Sequence, residues 1–301
     1  MILRTSLLAA TLLPGAALAQ ATTIETATGP VELDGVPGTV VALDLAAIDT
    51  LSALGVTVAG VPDITPPAYL ADTLAQAEIV GTLFEPDFET IAAMGPDLIV
   101  AGGRSQSQVE PLSQIAPTLD MTIGEDVVQQ GLARLEAYGA LFGHEAEAEA
   151  LREEFAAVQA DVQDAAADEG EVLILLANGG TLSAYGAGSR FGWIHTDLGL
   201  AEAVPDLDAE THGEAVSFEF VAETDPDWIF VVDRGAAIGQ EGEAAAATLD
   251  NPLIAGTTAA QEGQIVYLDP APLYLAGGGI RSLIATTTEI AEALGADASG
   301  S

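Results

Sequence analysis

The spacing of apolar residues along the chain switches repeatedly between strand-like and helix-like, and this pattern predicts a parallel-sheet protein. A short apolar run from Val40 to Asp44 reads as a strand. Leu45, Ile48, Leu51 and Leu54 follow at helical spacing, and a second strand falls near Val56 to Val61. Strand, helix and strand in that order belong to α/β folds. Glu171 to Leu176 is a further strand in the second half. Between the halves, Val128, Leu132, Leu135, Tyr138 and Phe142, then Leu151, Phe155, Val158 and Val162, recur at helical spacing from Glu125 to Ala166. With a break near Gly143, this predicts one long helix or two in line, acids facing outward. About 40 helical residues extend some 60 Å, enough to run the height of two lobes and join them stiffly.

A repeat defines those lobes. Phe88-Glu89-Thr90-Ile91-Ala92 leads to Pro96-Asp97-Leu98-Ile99-Val100, and 130 positions later Phe218-Glu219-Phe220-Val221-Ala222 leads to Pro226-Asp227-Trp228-Ile229-Phe230. Each copy reads as a short helix, a Pro-Asp turn and a strand. Arg104 and Arg234 follow the two strands at the same offset, where open α/β sheets place ligands beyond their carboxyl ends. The predicted architecture is therefore α/β, with two similar lobes joined by a long connecting helix and a ligand cleft between them. Its parts are residues 20–124, 125–167 and 168–301.

Residues 1–19 are expected to be a secretory signal peptide. Met1 to Arg4 form a positive start, Leu7 to Leu13 an apolar stretch, and Ala17-Leu18-Ala19 a small-x-small cleavage site. No Cys follows the site to carry a lipid, and the apolar stretch is shorter than the roughly 20 residues of a membrane span. The expected location is the periplasm, as a soluble monomer.

Charge then sharpens the picture. The chain has 46 acidic and 7 basic residues, all the latter Arg, for a net charge of −39. That excludes a nucleic-acid partner, since a phosphate backbone is held by clustered cations. There is no Cys, which removes thiolate metal sites and Cys nucleophiles. Without Lys there is no P-loop, and no Gly-x-Ser-x-Gly elbow accompanies a His and an acid, so catalysis is not expected. Removing residues 1–19 takes Arg4 with it and leaves six Arg among the 46 acids.

The export signal, the Pro-Asp-strand repeat and the connecting helix together resemble the ABC-transporter substrate-binding proteins for iron-siderophores, haem and cobalamin. The second lobe carries Ser189-Arg190-Phe191-Gly192-Trp193-Ile194-His195, His212-Gly213, Ser217-Phe218-Glu219, Val232-Asp233-Arg234-Gly235 and Tyr274-Leu275-Ala276-Gly277-Gly278 in order. That set is similar to the branch taking ferric catecholates. The resemblance implies that Arg104, Arg190 and Arg234 line the cleft, with His212 and Tyr274 facing the metal. It also implies that Glu89 and Glu219 meet Arg residues of an inner-membrane ABC permease.

The chemistry agrees with this mapping. Guanidinium groups donate several hydrogen bonds and stack on planar rings, which suits a trianionic ferric tris-catecholate. His212 and Tyr274 are metal ligands only for a chelator that leaves coordination positions open, because ferric iron accepts phenolate and imidazole. Gly277-Gly278-Gly279 before the last helix is a weak anion-site signal. Trp193 and Trp228 are expected to pack, Trp193 near enough to Arg190 to border the cleft, and His195 is expected to be structural. No intrinsic cofactor is expected, the ferric siderophore being the cargo. The alternative is a haem or cobalamin carrier of the same fold. A free-metal carrier is disfavoured by only three scattered His.

Overall fold

The structure, a computed structural model, describes residues 21–167, 169–205, 207, 213–240 and 244–296. The predicted signal peptide and His212 lie outside these residues. The first lobe opens with an antiparallel hairpin, β1 (Ala21–Thr26) and β2 (Gly29–Asp34), that the hydrophobic pattern did not predict. Its sheet comprises β3 (Val40–Ala42), β4 (Gly60–Val61), β5 (Glu78–Ile79), β6 (Leu98–Ala101) and β7 (Thr118–Asp120). All pairs in it are parallel, in the order β5-β4-β3-β6-β7. The second lobe is built on β8 (Glu171–Asn178), β9 (Thr181–Tyr185), β10 (Ala201–Glu202), β11 (Glu214–Val216), β12 (Trp228–Asp233) and β13 (Ile265–Leu268). There the order is β11-β9-β8-β12-β13, and β10 pairs with the start of β8.

The continuous apolar runs of the central strands reflect burial on both faces. Val40, Ala42, Leu98 and Val100 point into a core shared by both lobes, while Val41, Ile99 and Ala101 point to a separate cluster. In the second lobe Val172, Ile174, Phe230 and Val232 share the first core, and Leu173, Leu175, Ile229 and Val231 face the other side.

The repeat holds in three dimensions. Helices Phe88–Met94 and Phe218–Thr224 are capped by Asp87 and Ser217, and both end in a left-handed residue, Gly95 (φ 59°) and Asp225 (φ 48°). The Pro-Asp aspartates clasp the start of the neighbouring strand. Asp97 accepts from the N–H groups of Gly38 and Thr39 at 3.0 and 2.8 Å, and Asp227 accepts from that of Glu171 at 2.8 Å.

The connecting region is two helices, Val127–Phe142 and Glu145–Ala166, and they are not in line. Gly143 caps the first in the left-handed region, at φ 72°. Residues nine apart in a straight helix are separated by about 13 Å. A Cβ on Gly139 would instead lie 2.8 Å from that of Ala148, so the chain turns a sharp corner. The first helix packs on β1 and on helix Leu45–Ala53 of the first lobe. The 22-residue helix Glu145–Ala166, about 33 Å long, then leads into β8. Among the described residues no helix is long and apolar enough to cross a membrane.

The last helix, Ile280–Ala293, packs against Glu145–Ala166, the first lobe's Leu45–Ala53 and its own lobe's Pro270–Leu275, so it bridges the two lobes. Its N-terminus is held by Asp49, fully buried on helix Leu45–Ala53. Asp49 accepts from the N–H groups of Arg281 and Ser282 at 2.8 and 3.0 Å and from the Tyr69 hydroxyl at 2.5 Å. The glycine run is therefore not open to a ligand at this point, because a Cβ on Gly279 would lie 2.6 Å from the Asp49 carboxyl carbon. The anion at this helix terminus is the protein's own.

Burial pushes the Asp49 carboxyl up from 3.8 to about 6, against the pull of its three donors. The folded protein thus holds this proton more tightly than the unfolded chain. The associated stability is present at acid pH and is lost as pH rises through about 6. In denaturant titrations the advantage of wild type over Asp49→Asn should be larger at pH 4 than at pH 7 by about 2 to 3 kcal/mol. An equal advantage at both pH values refutes the assignment.

Candidate functional site

Crossover order places the site. In the first lobe the chain leaves β3 toward β4 and later returns to β6 on the opposite side, so the carboxyl ends of β3 and β6 flank the switch point where such sheets bind ligands. Asp44 follows β3 and Arg104 follows β6. The chain leaves β6 through Gly102, where a Cβ would meet the Thr122 backbone nitrogen at 2.8 Å, and Gly103 at φ 51°. This tight exit sets Arg104 on the 3-10 turn Gly103–Gln108. In the second lobe Arg234 opens helix Arg234–Ala237 directly after β12, capped by Asp233. Arg190 lies between β9 and helix Trp193–Thr196, its guanidinium 5.1 Å from the Phe191 ring centre. Tyr274 is on helix Pro270–Leu275, which Asp269 caps with proline at its start.

These four side chains converge. Arg104 Nη2 donates to the Tyr274 carbonyl at 3.0 Å and Nη1 to that of Leu275 at 3.4 Å. Arg190 Nη2 donates to the same Tyr274 carbonyl at 2.7 Å. Both guanidinium carbons also lie over the Tyr274 ring, 5.2 and 4.5 Å from its centre. Arg234 Nε donates to the Tyr274 hydroxyl at 3.2 Å, and its Nη1 to Asn178 Oδ1 at 3.4 Å. Among the described residues no salt bridge joins any of the three to a carboxylate, although the chain carries 46 acids.

The tyrosine and its arginines divide the cleft. One compartment, about 570 Å³, is bounded by Ile64, Thr65, Leu83 and Ile238 together with Arg104, Arg234 and Tyr274. The other, about 470 Å³, is bounded by Asp44, Ile123 and Val127 with Arg104, Arg190 and Tyr274. Phe84 and Leu275 border both.

The electrostatics follow from crowding cations around one phenol. Burial pulls the Arg190 guanidinium below its ordinary range, and the neighbouring Arg104 charge adds to this. Burial pushes the Tyr274 phenol up, but the Arg234 hydrogen bond and the charges of Arg234, Arg190 and Arg104 outweigh it and leave the phenol below its ordinary 10. Burial likewise raises the Asp44 carboxyl, against the Ala47 N–H and the Arg104 charge. A cleft so arranged offers guanidinium donors to an anion and makes the Tyr274 phenol easier to ionise.

The remaining candidates are elsewhere. Arg134 donates to the carbonyls of Glu25 at 2.7 Å and Thr122 at 3.4 Å, Arg152 pairs with Glu149, and Arg281 donates to the Ser52 carbonyl at 3.4 Å. His195 is buried with Nδ1 3.0 Å from the Leu200 carbonyl oxygen, and burial lowers its pKa. Trp193 is 3% exposed and packs in the core instead of bordering the cleft, and Trp228 packs edge-on to Phe230. Glu89 and Glu219 are exposed at equivalent positions of their helices. Among the described residues no group of three or more His, Asp or Glu converges as a metal site. Among the cleft residues that sequence reasoning missed are Asp44 and Phe84. Asp44 was signalled by its place at the end of the first strand, whereas Phe84, in a turn, had no signal.

Comparison with known proteins agrees with this two-lobed fold. The family model described as periplasmic binding protein matches residues 40–272. The petrobactin-binding protein YclQ of Bacillus subtilis is 34% identical over 269 residues, covering 86% of this chain and 83% of the relative. The ferric-anguibactin-binding protein FatB of Vibrio anguillarum is 30% identical, with 86% and 83% covered. The crystal structure of YclQ superposes with a TM-score of 0.86 over 91% of this chain and 99% of that one, at 33% identity. That of the catecholate-siderophore binding protein VctP of Vibrio cholerae gives 0.84 over 90% and 99%, at 31%. With two α/β lobes packed on one shared core, the chain belongs to the periplasmic binding protein family.

Proposed function

We propose that this chain captures a ferric siderophore of catecholate type in the periplasm and delivers it to an inner-membrane ABC permease. The observation that carries this reading is the set of three arginines on Tyr274, none of them in a salt bridge with a carboxylate among the described residues. Such a cluster is unfavourable when empty and becomes favourable when a polyanion enters. Catecholate oxygens offer the acceptors that guanidinium groups need, and the chelator brings its own metal donors. Where the chelator leaves coordination positions open, Tyr274 supplies a phenolate. His212, outside the described residues, is the proposed second protein ligand. Glu89 and Glu219 are the proposed contacts to the permease. The protein acts as a monomeric carrier without chemistry of its own.

The test is a fluorescence titration of the purified protein with a ferric catecholate, a ferric hydroxamate and haem. Iron chelates quench nearby indoles, and both tryptophans, Trp193 and Trp228, lie in the second lobe. Saturable quenching by the catecholate in preference to the other two is expected. Quenching by haem alone transfers the protein to the haem-carrier reading.

A further inference from the structure

Phe84 stands apart from every other large apolar side chain near the site. It is 63% exposed, and among the exposed large apolar residues described it alone lines the arginine cleft, where it borders both compartments. The turn that carries it is rigid. The Thr82 N–H donates to the Glu85 carbonyl at 3.0 Å, and the Thr82 hydroxyl accepts from the N–H groups of Glu85 at 3.0 Å and Phe84 at 3.3 Å. Gln108 Nε2 donates to the Phe84 carbonyl at 3.3 Å, tying the turn to the Arg104 segment. Gly81, at φ 88°, permits the tight return, since a Cβ there would lie 2.5 Å from both the Glu85 carbonyl oxygen and the Asp87 nitrogen. Leu83 is buried beside Leu45 and Ala276, anchoring the turn while its neighbour stays exposed.

A turn this well fixed does not leave a phenyl ring in solvent for want of an alternative. Leu83 shows that the apolar interior is within reach of the same turn, and Phe84 is held out of it, lining a cleft that also holds three guanidinium groups. The arginines would engage the charged oxygen edge of an aromatic chelate, and on the first-lobe side its ring faces would meet the aliphatic Ile64, Leu83 and Ile123 and one aromatic ring, that of Phe84. Tyr274 supplies an aromatic ring from the second lobe, and Phe84 supplies one from the first, both at the boundary between compartments.

We infer that Phe84 is a specificity-determining residue whose exposed ring packs on the aromatic face of the bound ferric chelate. The inference rests on the ferric-catecholate reading. It places selection for aromatic over purely aliphatic chelators on the first lobe, while the arginines select for charge.

The test titrates wild type, Phe84→Ala and Phe84→Trp with a ferric bis-catecholate by intrinsic fluorescence, alongside thermal unfolding of each empty protein. Because the side chain is exposed, neither substitution should lower the unfolding temperature. Phe84→Ala is expected to weaken binding about tenfold, the scale of a lost aromatic pair with its buried area. Phe84→Trp should bind within about twofold of wild type and lose more fluorescence on saturation, its added indole being in contact with the chelate. Unchanged affinity in Phe84→Ala, with wild type binding normally, overturns this inference alone, and a simultaneous loss of cellular uptake would give Phe84 to the permease face. No binding by wild type overturns the ferric-catecholate reading and this inference with it.

Discussion

Arg190→Met should weaken ferric-catecholate binding about a hundredfold while leaving the empty protein as stable as wild type or more so. Truncating one partner of a desolvated charge pair typically costs about 2 to 5 kcal/mol, and a hundredfold change in Kd is about 2.8 kcal/mol. In the empty cleft Arg190 is buried and faces the Arg104 charge across a shared carbonyl of Tyr274, the two influences that pull its pKa down. The variant therefore loses one hydrogen bond and the guanidinium's contacts with the Phe191 and Tyr274 rings, and it gains relief from desolvation and repulsion. Thermal unfolding with and without ligand separates the two sides, because a ligand stabilises only in proportion to its affinity for the folded state. The ligand-induced rise in unfolding temperature should shrink in Arg190→Met with no drop in the empty protein's. A fall in the empty protein's stability, with Kd unchanged, would make Arg190 a structural residue.

The cluster itself was legible because its chemistry is scarce in this chain. Six arginines remain outside the predicted signal segment, and two occupy equivalent places after repeated strands, so residue type and topology pointed the same way. The Pro-Asp repeat was legible for a similar reason, since each aspartate has a fixed task at the start of the adjoining strand. The corner at Gly143 was not. Periodicity reports which face of each helix is buried and where the helix breaks, but the angle is set by the approach of Gly139 to Ala148, which no spacing records. Asp49 was hidden among 46 acids, and its destination, the N-terminus of a helix more than 200 residues later, depends on the two lobes being assembled. The glycine run looked like an anion site for the correct physical reason, and the anion it receives is internal. Phe84 was illegible because a lone aromatic in a turn carries no period, and its meaning comes from the arginines and tyrosine that surround the same space.

Reversing the charge at both Glu89 and Glu219 should abolish iron uptake in cells and leave the purified protein's affinity for its cargo unchanged. Each is the second residue of a seven-residue helix, Phe88–Met94 and Phe218–Thr224, and the two helices occupy equivalent places in the repeat. Both side chains are exposed, and neither residue borders either compartment of the cleft. Hydrogen bonds from its own N–H and from the Ser217 hydroxyl hold the Glu219 carboxyl below its ordinary range, so it presents a fixed negative charge. A pair of such charges, one per lobe, would let a permease read both lobes at once. Opposite charges on the permease would then steer the loaded protein into register, an effect that weakens with salt and is sharply reversed by like charge. Glu89→Arg alone should reduce uptake, and Glu89→Arg with Glu219→Arg should bring it to background. Fluorescence titration of the same double variant must return the wild-type Kd. If affinity falls, the two glutamates act on the cleft, and if uptake persists, the permease is recognised through other residues.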